Sequence, residues 1–476
     1  MNTSFYNGIN GIKTHQFGID VWSNNIANIE LNGFKSSNPE FSTVFSTTLS
    51  DSYFNPTSND ISLGSKPQTT ALDLRQGSIE TTDNTFDLAL DAEGWFGLKT
   101  PKNQVFYTRA GSYKIDKNGD LLDPNGFHLL GTSGENISSS KLSQSMLDAL
   151  GKSYTKDGIE QATIDSIKDI DDITLGSVDS QTKINLPNNL YYPATPTTNI
   201  KIRANLDPTV QTNASGDEIP NIEHFTSSIF TSDGEKKILD MTFTKEVPQS
   251  TKGNTWDGKV ELLSFYENYD DAKTYDTTKY KIYNSTNKVY TIEDAKDAKI
   301  EFSSDGKMSS YDIPTILNGD TPLNIDIGEL GSYDGFTSIT DLGSLKNIST
   351  DGLEYGLLNG YSVENNGDII AQFSNGKRVP VAKVAVYHFV NDQGLDRASA
   401  TLLSESSNSG KAFFYTDKDG NNFNETPIYS NSLEQSNTEM STALTELILM
   451  QKAFDANAKS ITTSDQMIQN AINMKK

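Results

Sequence analysis

The sequence predicts a mainly β, multidomain protein with an α-helical coiled coil formed by its N- and C-terminal helices. Two observations support this fold class. Apolar residues recur at steps of three and four near both ends of the chain, which is the period of an amphipathic helix. Between residues 73 and 430, short alternating runs are separated by Gly, Asn and Asp turns, a pattern typical of strands. With 476 residues, the chain is long enough for about three folding units.

The first thirty residues predict one amphipathic helix. Gly8, Gly11 and Gly18 lie within it, and each glycine costs about 1 kcal/mol relative to alanine in a helix interior. We therefore expect this helix to depend on packing partners. Together with His15, its apolar face consists of Phe5, Ile9, Ile12, Ile19, Trp22, Ile26 and Ile29.

The last forty residues predict a second amphipathic helix. Ser436 and Glu439 have the spacing of a capping box, which satisfies free backbone amides at a helix start. A helix from 437 to 474 would be about 55 Å long, which is long for the core of one globular domain. Its apolar stripe consists of Met440, Leu444, Leu447, Phe454, Ala458, Ile461, Ile468 and Ile472.

Two interpretations of these helices are open. Each could pack on a neighbouring domain, or the two could pair and present their remaining apolar surface to other copies of the chain. The second is favoured, because the stripes lie at opposite ends of a sequence whose middle is β structure. Both helices are then expected to be largely disordered in a free monomer and to fold on assembly. The expected assembly interface combines the apolar face of the first helix with Leu444, Leu447, Phe454, Ile461, Ile468 and Ile472.

The β region is predicted to contain nested domains built from discontinuous chain segments. Residues 73–145 and 350–426 are predicted to form a middle β domain, because their strand-like runs end at tight turns such as Asn118-Gly119. Residues 146–349 have more polar linkers and are predicted to form an inserted outer β domain. Residues 31–72 with 427–435 are predicted to be an extended connector, and residues 1–30 with 436–476 a terminal helical domain.

Composition excludes several functions. The chain has 39 basic and 63 acidic residues, a net charge of −24, and no cysteine. This charge argues against binding to nucleic acid or anionic membrane surfaces, and a chain without cysteine has no disulfide or thiolate chemistry. No run approaches the roughly 18 apolar residues of a membrane span. The N-terminal residues also lack the basic and apolar segments of a signal peptide.

The sequence predicts no enzyme, cofactor or metal site. Two groups beginning at Asp116 and Asp417 resemble calcium loops, but Leu121 and Asn422 stand where such a loop needs glycine. Hairpin turns are expected there instead. The glycine motifs of nucleotide-binding or hydrolytic enzymes do not occur at predicted strand-to-helix turns, where such motifs function. The histidines lie far apart in sequence and are expected to be structural: His15, His128, His224 and His388.

Short motifs near both ends of the chain identify a family. Residues 23–28 read Ser-Asn-Asn-Ile-Ala-Asn and are followed by Gly-Phe-Lys at 33–35, while residues 450–457 read Met-Gln-Lys-Ala-Phe-Asp-Ala-Asn. In these motifs the sequence resembles the bacterial flagellar rod and hook proteins, the axial family of the flagellum. The signature residues are Asn24, Asn25, Ala27, Asn28, Gly33, Phe34, Lys35, Gln451, Ala453, Phe454 and Asn457.

The resemblance implies a structural subunit whose copies form a flexible, hollow helical tube, with the terminal helices lining it, which acts as a universal joint between rod and filament. It also implies partners: other copies of the chain, rod and hook–filament junction proteins, the hook cap and the flagellar type III export apparatus. The implied location is extracellular, on the basal body, and is reached without a cleaved signal peptide. A distal rod protein or hook paralogue is the nearest alternative. A secreted β-sandwich adhesin or glycan-binding protein is an alternative from another class.

Overall fold

Two long helices flank a body of strands. The computed structural model describes residues 3–44, 46–48, 60–62, 64–140, 164–252, 254–270, 273–283, 286–340, 342 and 345–474. Helix α1 spans Thr3–Ala27, the short helix α2 spans Gln249–Lys252, and α3 spans Met440–Met474. Helices α1 and α3 are in contact and the body between them is mainly β, which confirms the predicted fold class. Among the described helices, none combines the length and apolar character that crossing a bilayer requires.

The strands fall into four stretches of the chain. Before residue 73 they are β1 Ser37–Thr43, β2 Ser46–Thr48, β3 Asp60–Ser62 and β4 Ser65–Leu72. The next stretch contains β5 Ile79–Thr81, β6 Leu88–Leu90, β7 Trp95–Lys99, β8 Val105–Thr108, β9 Lys114–Ile115, β10 Leu121–Leu122, β11 His128–Ser133, β12 Ile137–Ser140, β13 Ile164–Ile167, β14 Thr182–Lys183 and β15 Leu190–Tyr192. The third contains β16 Asn199–Asn205, β17 Gln211–Thr212, β18 Glu218–Ile219, β19 Asn221–Phe230, β20 Lys236–Lys245, β21 Thr255–Asn268, β22 Tyr280–Tyr283, β23 Lys288–Phe302, β24 Met308–Asp312, β25 Ile316–Asn318, β26 Thr321–Asp326, β27 Phe336–Thr337 and β28 Lys346–Thr350. The last contains β29 Gly356–Val363, β30 Asp368–Phe373, β31 Arg378–Val384, β32 Val386–Tyr387, β33 Asp396–Arg397, β34 Leu402–Ser404, β35 Tyr415–Thr416, β36 Asn422–Phe423, β37 Ile428–Ser430 and β38 Ser432–Glu434.

The segment expected to be an extended connector forms paired strands. β1 pairs with β4 in antiparallel register, from Ser37 opposite Leu72 to Thr43 opposite Ser65, and β2 pairs with β3. On the returning chain, β37 pairs with β6 and β38 with β5. The periodicity of 31–72 did not reveal strands because they are built largely from Ser, Thr, Asn and Gln rather than alternating apolar residues.

The middle of the molecule is a large sheet of 15 described strands. Its order is β12-β13-β15-β29-β30-β31-β11-β7-β8-β34-β33, with β9, β10, β14 and β32 attached beside this path. Strands that precede and follow the inserted segment are therefore neighbours in one sheet, as in the antiparallel pairing of β11 with β31. The main core beneath the sheet includes the fully buried Phe96, Tyr113 and Ile369.

The inserted segment forms two further sheets around a core of its own. One sheet has the order β19-β20-β21-β23-β22, with β24 on β23, and the other has the order β25-β26-β16-β27, with β28 on β16. Phe225, Phe243 and Phe336 pack against one another with ring centroids 5.3–6.0 Å apart. Trp256 is fully buried in the same core. This separate core gives the insert the character of a β-sandwich.

The insert begins later than residue 146, where the sequence placed it. β13 runs parallel to β15, and β15 pairs antiparallel with β29, so residues 164–192 belong to the middle sheet. Ile167, Ile184 and Leu190 are buried in the main core. The parallel pairing is non-local, and nothing in the local pattern announces it. Residues 146–163 lie outside the described residues.

Both calcium-like groups form turns, as predicted. The Asp116 Oδ1 accepts hydrogen bonds from the amides of Asn118 (2.8 Å) and Asp120 (2.9 Å). The Asp417 Oδ1 accepts from the amides of Asp419 (2.9 Å) and Asn421 (2.8 Å) in the same way. The carboxylates therefore stabilise the turn backbone.

The two strands that enter and leave the insert are joined by one carboxylate. The Asp351 Oδ1 accepts from the amides of Thr198 and Asn199, both at 2.9 Å. Its Oδ2 accepts from the Thr198 hydroxyl (2.6 Å) and the Asn199 side-chain amide (2.8 Å). Burial raises the pKa of Asp351, but these hydrogen bonds outweigh it and lower the pKa to about 2. Asp351 therefore clamps the base of the insert in its charged form.

Replacing Asp351→Asn is expected to destabilise the insert at pH 7 by about 1 kcal/mol, after allowing for the exposure of this side chain. Because the folded-state pKa lies below the ordinary value of 3.8, the stabilisation is present above pH 4 and is lost as the pH falls towards 2. Thermal unfolding measured from pH 7 to pH 2 should show the variant and the unmodified chain converging at the acid end. Asp312→Asn, at an exposed strand position, serves as the control. A stability difference that stays constant with pH would contradict the assignment.

Candidate assembly site

Helices α1 and α3 pack antiparallel through glycines. A Cβ atom added to Gly8 would lie 2.7 Å from Ile461 Cγ1, and one added to Gly18 would lie 3.0 Å from Met450 Sδ. At Gly11, a Cβ would lie 2.5 Å from the Asn457 Oδ1. The glycines that weaken α1 as an isolated helix are therefore the points at which α3 approaches most closely. This contact joins two helices of the same chain. The expected disorder of both helices in a free monomer, and their folding on assembly, stay a prediction.

The other side of α1 is held by the hairpin of β1 and β4. The Thr14 hydroxyl donates to the Ser65 carbonyl (3.0 Å). The Asn25 side chain accepts from the Ser37 amide (3.0 Å) and donates to the Ser37 carbonyl (2.8 Å). The residues of α1 that are most buried recur at steps of three and four and line these two contacts: Gly8, Gly11, Thr14, Gly18, Val21 and Asn25.

The apolar residues predicted as the assembly face of α1 lie beside this buried seam. His15, which lies among them, is half-buried, and burial lowers its pKa. The face keeps accessible apolar area after the two helices have paired, which is the property that an interface between copies requires. The half-buried members are Phe5, Ile9, Ile12, Ile19, Trp22, Ile26 and, just beyond the helix, Ile29.

Helix α3 exposes more apolar surface than its predicted stripe contains. Of that stripe, Leu447, Phe454 and Ile461 are half-buried, whereas Leu444, Ile468 and Ile472 are exposed. Further exposed apolar residues lie outside the predicted stripe. The uninterrupted apolar run at 447–450 could have predicted them, because such a run faces more than one side of a helix. They are Ile448, Leu449, Met467 and Met474, with 54%, 58%, 61% and 83% of their surface accessible.

The C-terminal end of α3 extends beyond α1. Gly8 lies against Ile461 and Gly18 against Met450, so in the antiparallel register Thr3 lies near residue 466. Residues 467–474 therefore project about 12 Å past the described start of α1. We call these eight residues the overhang. Its apolar side chains are all exposed: Met467, Ile468, Ile472 and Met474.

A buried ionic cluster joins both helices to the β body. The Glu434 carboxylate contacts Lys35 Nζ at 2.7 Å and Arg109 Nη1 at 3.2 Å, and accepts from the Gly77 amide at 2.9 Å. The Glu434 side chain is 1% exposed and its two basic partners are each 4% exposed. Burial lowers the pKa of Lys35 and of Arg109, and the Glu434 charge opposes both shifts.

The backbone around this cluster is equally constrained. The Gly33 amide donates to the Glu434 carbonyl (2.7 Å), and Lys35 Nζ donates to the Arg75 carbonyl (2.7 Å). Gly33 has φ +68°, and a Cβ there would lie 2.3 Å from the Ala110 amide nitrogen, so only glycine fits. The chain leaving α1, the chain leaving β4 and the chain entering α3 therefore meet at one fixed point.

The family-signature residues fall into two groups. The first group lies at the end of α1 and at the ionic cluster. The Asn28 side chain donates to the Asn24 carbonyl (2.8 Å), and Phe34 is fully buried beneath the Arg397 guanidinium. The second group lies on α3, where Asn457 meets Gly11. Gln451 and Ala27 are exposed, and Ala453 and Phe454 are half-buried.

The start of α3 differs in detail from the predicted capping box. The helix begins at Met440, and Ser436 Oγ accepts from the Thr438 amide (3.2 Å). The Glu439 carboxylate accepts from the hydroxyls of Ser441 and Thr442, both at 2.9 Å. It therefore satisfies side chains of the first turn rather than the amide of Ser436.

Within the described ranges, no three or more His, Asp or Glu side chains come together to hold a metal ion. His388 is buried against Phe413 and Tyr415, and burial lowers its pKa to about 4. His224 Nδ1 lies 3.0 Å from the Thr242 hydroxyl. The site described above consists of apolar side chains on two paired helices and of the ionic cluster that attaches them to the β body.

Comparisons with known proteins agree with the motifs. Residues 429–474 match the model of the flagellar basal body rod FlgEFG protein C-terminal region, and residues 89–205 match the flagellar hook protein FlgE/F/G D1 domain. The chain is 28% identical to the flagellar hook protein FlgE of Borreliella burgdorferi, with 100% of both chains covered. It is 24% identical to that of Escherichia coli over 99% of this chain and 100% of the other. A crystal structure of Helicobacter pylori flagellar hook protein FlgE2 aligns with a TM-score of 0.43 and 16% identity, covering 75% of this chain and all of the other.

Replacing Gly8→Val should separate α1 from α3, because the new side chain would overlap Ile461. Overpacking of this kind costs about 1–3 kcal/mol. We expect amide hydrogen exchange in 457–464 of the full-length chain to become about tenfold faster or more. Gln16→Val, which places the same side chain on an exposed position of α1, should leave that exchange rate unchanged. Equal exchange rates in the two variants would show that Gly8 is not a point of close contact between α1 and α3.

Replacing Glu434→Gln should destabilise the chain by about 3–5 kcal/mol, because it leaves two buried cations without a counter-charge. Chemical denaturation would measure the loss. Hydrogen exchange should show that opening begins around residues 33–37 and 75–77. The control is Glu425→Gln, an exposed carboxylate nearby in sequence. If both variants unfold at the same denaturant concentration, the cluster does not hold the junction.

Proposed function

The chain belongs to the flagellar hook protein family, which is structural and non-enzymatic, and we propose that its copies polymerise into a flexible, hollow helical tube. The tube is the hook, which acts as a universal joint and passes torque from the rod to the filament. The observation that carries the proposal is the overhang of α3. It is a helical segment whose large apolar side chains are all exposed in the part of the chain that the structure describes.

The geometry suits an open polymer. The overhang and the half-buried face of α1 are different surfaces, so one copy's overhang can lie against the next copy's α1. Such head-to-tail contacts generate helical filaments when the rotation does not close. Burying the exposed apolar area would supply about 25 cal/mol for each Å². The proposed interface comprises Phe5, Ile9, Ile12, Ile19, Trp22, Ile26, Ile29, Leu444, Leu447, Phe454, Ile461, Ile468 and Ile472.

The division of the chain supports different mechanical roles. The terminal helices would form the inner wall of the tube, where the glycine seam makes each helix pair narrow and stiff. The middle domain and the inserted sandwich would stack outside them. The exposed strand faces of the insert are rich in Ser, Thr, Asn, Asp and Lys, and polar contacts of this kind exchange partners at small energetic cost. Sliding of these outer contacts would let the tube bend as it turns.

Further partners follow from the position of a hook between other parts of the flagellum. We place rod proteins at one end of the polymer and hook–filament junction proteins at the other, with the hook cap present during growth. The chain would reach its extracellular site through the flagellar type III export apparatus without a cleaved signal peptide. A chain without cysteine can pass unfolded from a reducing to an oxidising compartment without forming disulfides on the way.

Polymerisation should become weaker when the overhang is made polar. Replacing Ile468→Glu and Ile472→Glu together should raise the concentration needed for assembly about tenfold or more, because two apolar contacts are lost and two charges must be desolvated. As a control, Ser460→Glu with Gln466→Glu adds the same two charges at exposed polar positions of α3 outside the overhang, and this variant should assemble at a lower concentration than the Ile468/Ile472 variant. Sedimentation and electron microscopy would measure assembly.

Deletion of residues 437–476 extends the same test. The truncated chain should remain a folded β body that cannot polymerise, and circular dichroism would verify that its strands are retained. Tubes formed by this truncated chain would overturn the proposed role of the helices. Curvature of the tubes formed by the full chain would separate a hook from a straight rod.

A further inference from the structure

Lys245 is a basic residue in the interior of the inserted sandwich. It follows Leu239, Met241 and Phe243 at steps of two along β20, so its side chain points to the same face of the sheet as these core residues. Lys245 is 2% exposed, and the residue opposite it on β21 is the fully buried Trp256. An ammonium group in such a place needs a counter-charge or strong hydrogen bonds.

The other buried lysines of the described chain have a counter-charge. Each forms an ion pair with a carboxylate oxygen at 2.7–3.1 Å: Lys35 with Glu434, Lys237 with Glu293, and Lys383 with Asp172 and Asp368. Lys245 differs, because no described carboxylate oxygen lies within ion-pair distance of its Nζ atom. Its burial therefore calls for another explanation.

The Lys245 amine instead faces two amide oxygen atoms. Nζ lies 3.4 Å from the Pro208 carbonyl oxygen and 3.4 Å from the Asn254 Oδ1, and both distances are long for hydrogen bonds from a cation. Burial lowers the pKa of Lys245, and the charges of Asp207 and Glu218 oppose that lowering from a greater distance. The amine is therefore neutral more often than a lysine amine in water, and a neutral amine is a nucleophile.

The side-chain amide of Asn254 is held next to this amine. The Asn254 backbone carbonyl accepts from the Phe302 amide (3.0 Å), and the side-chain amide nitrogen lies 3.4 Å from the Ser303 carbonyl oxygen. Cγ is bonded to the Oδ1 atom that Lys245 contacts, so the amine and the amide carbon are neighbours in the folded chain. Holding two reactive groups side by side is the main requirement of an intramolecular reaction. Because both groups belong to one chain, no molecule has to enter the core.

We propose that Lys245 and Asn254 form an isopeptide bond within one chain. The neutral Nζ attacks Cγ of Asn254, a bond forms between Nζ and Cγ, and the bond between Cγ and Nδ2 breaks. Nζ loses one proton, the leaving nitrogen gains one, and that nitrogen departs as ammonia. Asp207 and Glu218 are the carboxylates that can take up this proton and return it to the leaving nitrogen. No atom is oxidised or reduced, so the reaction needs no cofactor.

The bond would join the two ends of the turn between β20 and β21 and close residues 245–254 into a covalent ring. β20 and β21 are inner strands of the six-stranded sheet, so the ring would prevent their hairpin from opening at this end. The chain has no cysteine and therefore lacks disulfides as an alternative cross-link. The reaction involves one copy only, so its test does not depend on whether the chain polymerises.

Intact-mass spectrometry of the purified full-length chain would test the proposal. The expected mass is that of the sequence less one molecule of ammonia. Trypsin does not cleave after an acylated lysine, so digestion should release residues 238–252 joined to residues 253–259 as one branched peptide. Without the bond, trypsin would separate residues 238–245, 246–252 and 253–259.

Variants identify the two reacting groups. Lys245→Met and Asn254→Ala should each retain the ammonia and leave residues 253–259 as a separate peptide. The controls Lys236→Met and Asn268→Ala, at exposed positions of the same two strands, should lose ammonia as the unaltered chain does. Asn254 is only half-buried, so its variant keeps the test valid if Lys245→Met does not fold.

Replacing Asp207→Asn together with Glu218→Gln should slow formation of the bond about a hundredfold, and the freshly purified variant should lose ammonia gradually on standing. Full cross-linking of that fresh variant would overturn the assigned proton route. A mass equal to that of the sequence in the unaltered chain would overturn the proposal. So would loss of ammonia without the branched peptide, which indicates a succinimide elsewhere, or a branched peptide that still forms in the Asn254→Ala variant.

Discussion

The Glu434 carboxylate is the contact on which the arrangement of helices and β body depends. It lies six residues before α3 begins and neutralises two buried cations that come from distant parts of the chain. A buried ion pair of this kind contributes little net stability compared with apolar packing, because the charges must first be desolvated. Its value is geometric. A shift of the chain by one residue at this point would leave a buried charge without a partner. We therefore interpret the cluster as the contact that fixes where the helices leave the β body.

The seam between α1 and α3 complements that fixed point. Glycine at positions 8, 11 and 18 lets the helix axes approach closely, while the large apolar residues stay at the sides of the pair. An ordinary two-helix coiled coil buries its largest apolar residues between the helices. Here α1 contributes small residues to the inside, where they meet Met450, Asn457 and Ile461 of α3, and the large apolar residues of α1 remain partly accessible. The pair is consequently complete as a unit and still has apolar surface available for other copies.

The sequence predicted the helices, the β body and the family motifs, because each rests on a local pattern. The proposed assembly face rests on the same kind of pattern, since Ile468 and Ile472 are apolar at helical spacing. The close contact between α1 and α3 could not be predicted in this way, because an apolar periodicity does not include glycines such as Gly8 and Gly11. The edge of the insert was missed because the partner of β13 is separated from it by more than twenty residues of chain. The ionic cluster was invisible as well, since Lys35, Arg109 and Glu434 are ordinary charged residues until the fold removes their water.

Since α1 and α3 run in opposite directions, the start of one and the end of the other share a single tip of the molecule. A fluorophore or affinity tag fused at either end would stand among Met467, Ile468 and Ile472 and block that tip. Gly216 and Gly420 lie in hairpin turns and have open space around them. Labels attached at these two turns would report on individual subunits and would leave the end of the helix pair uncovered.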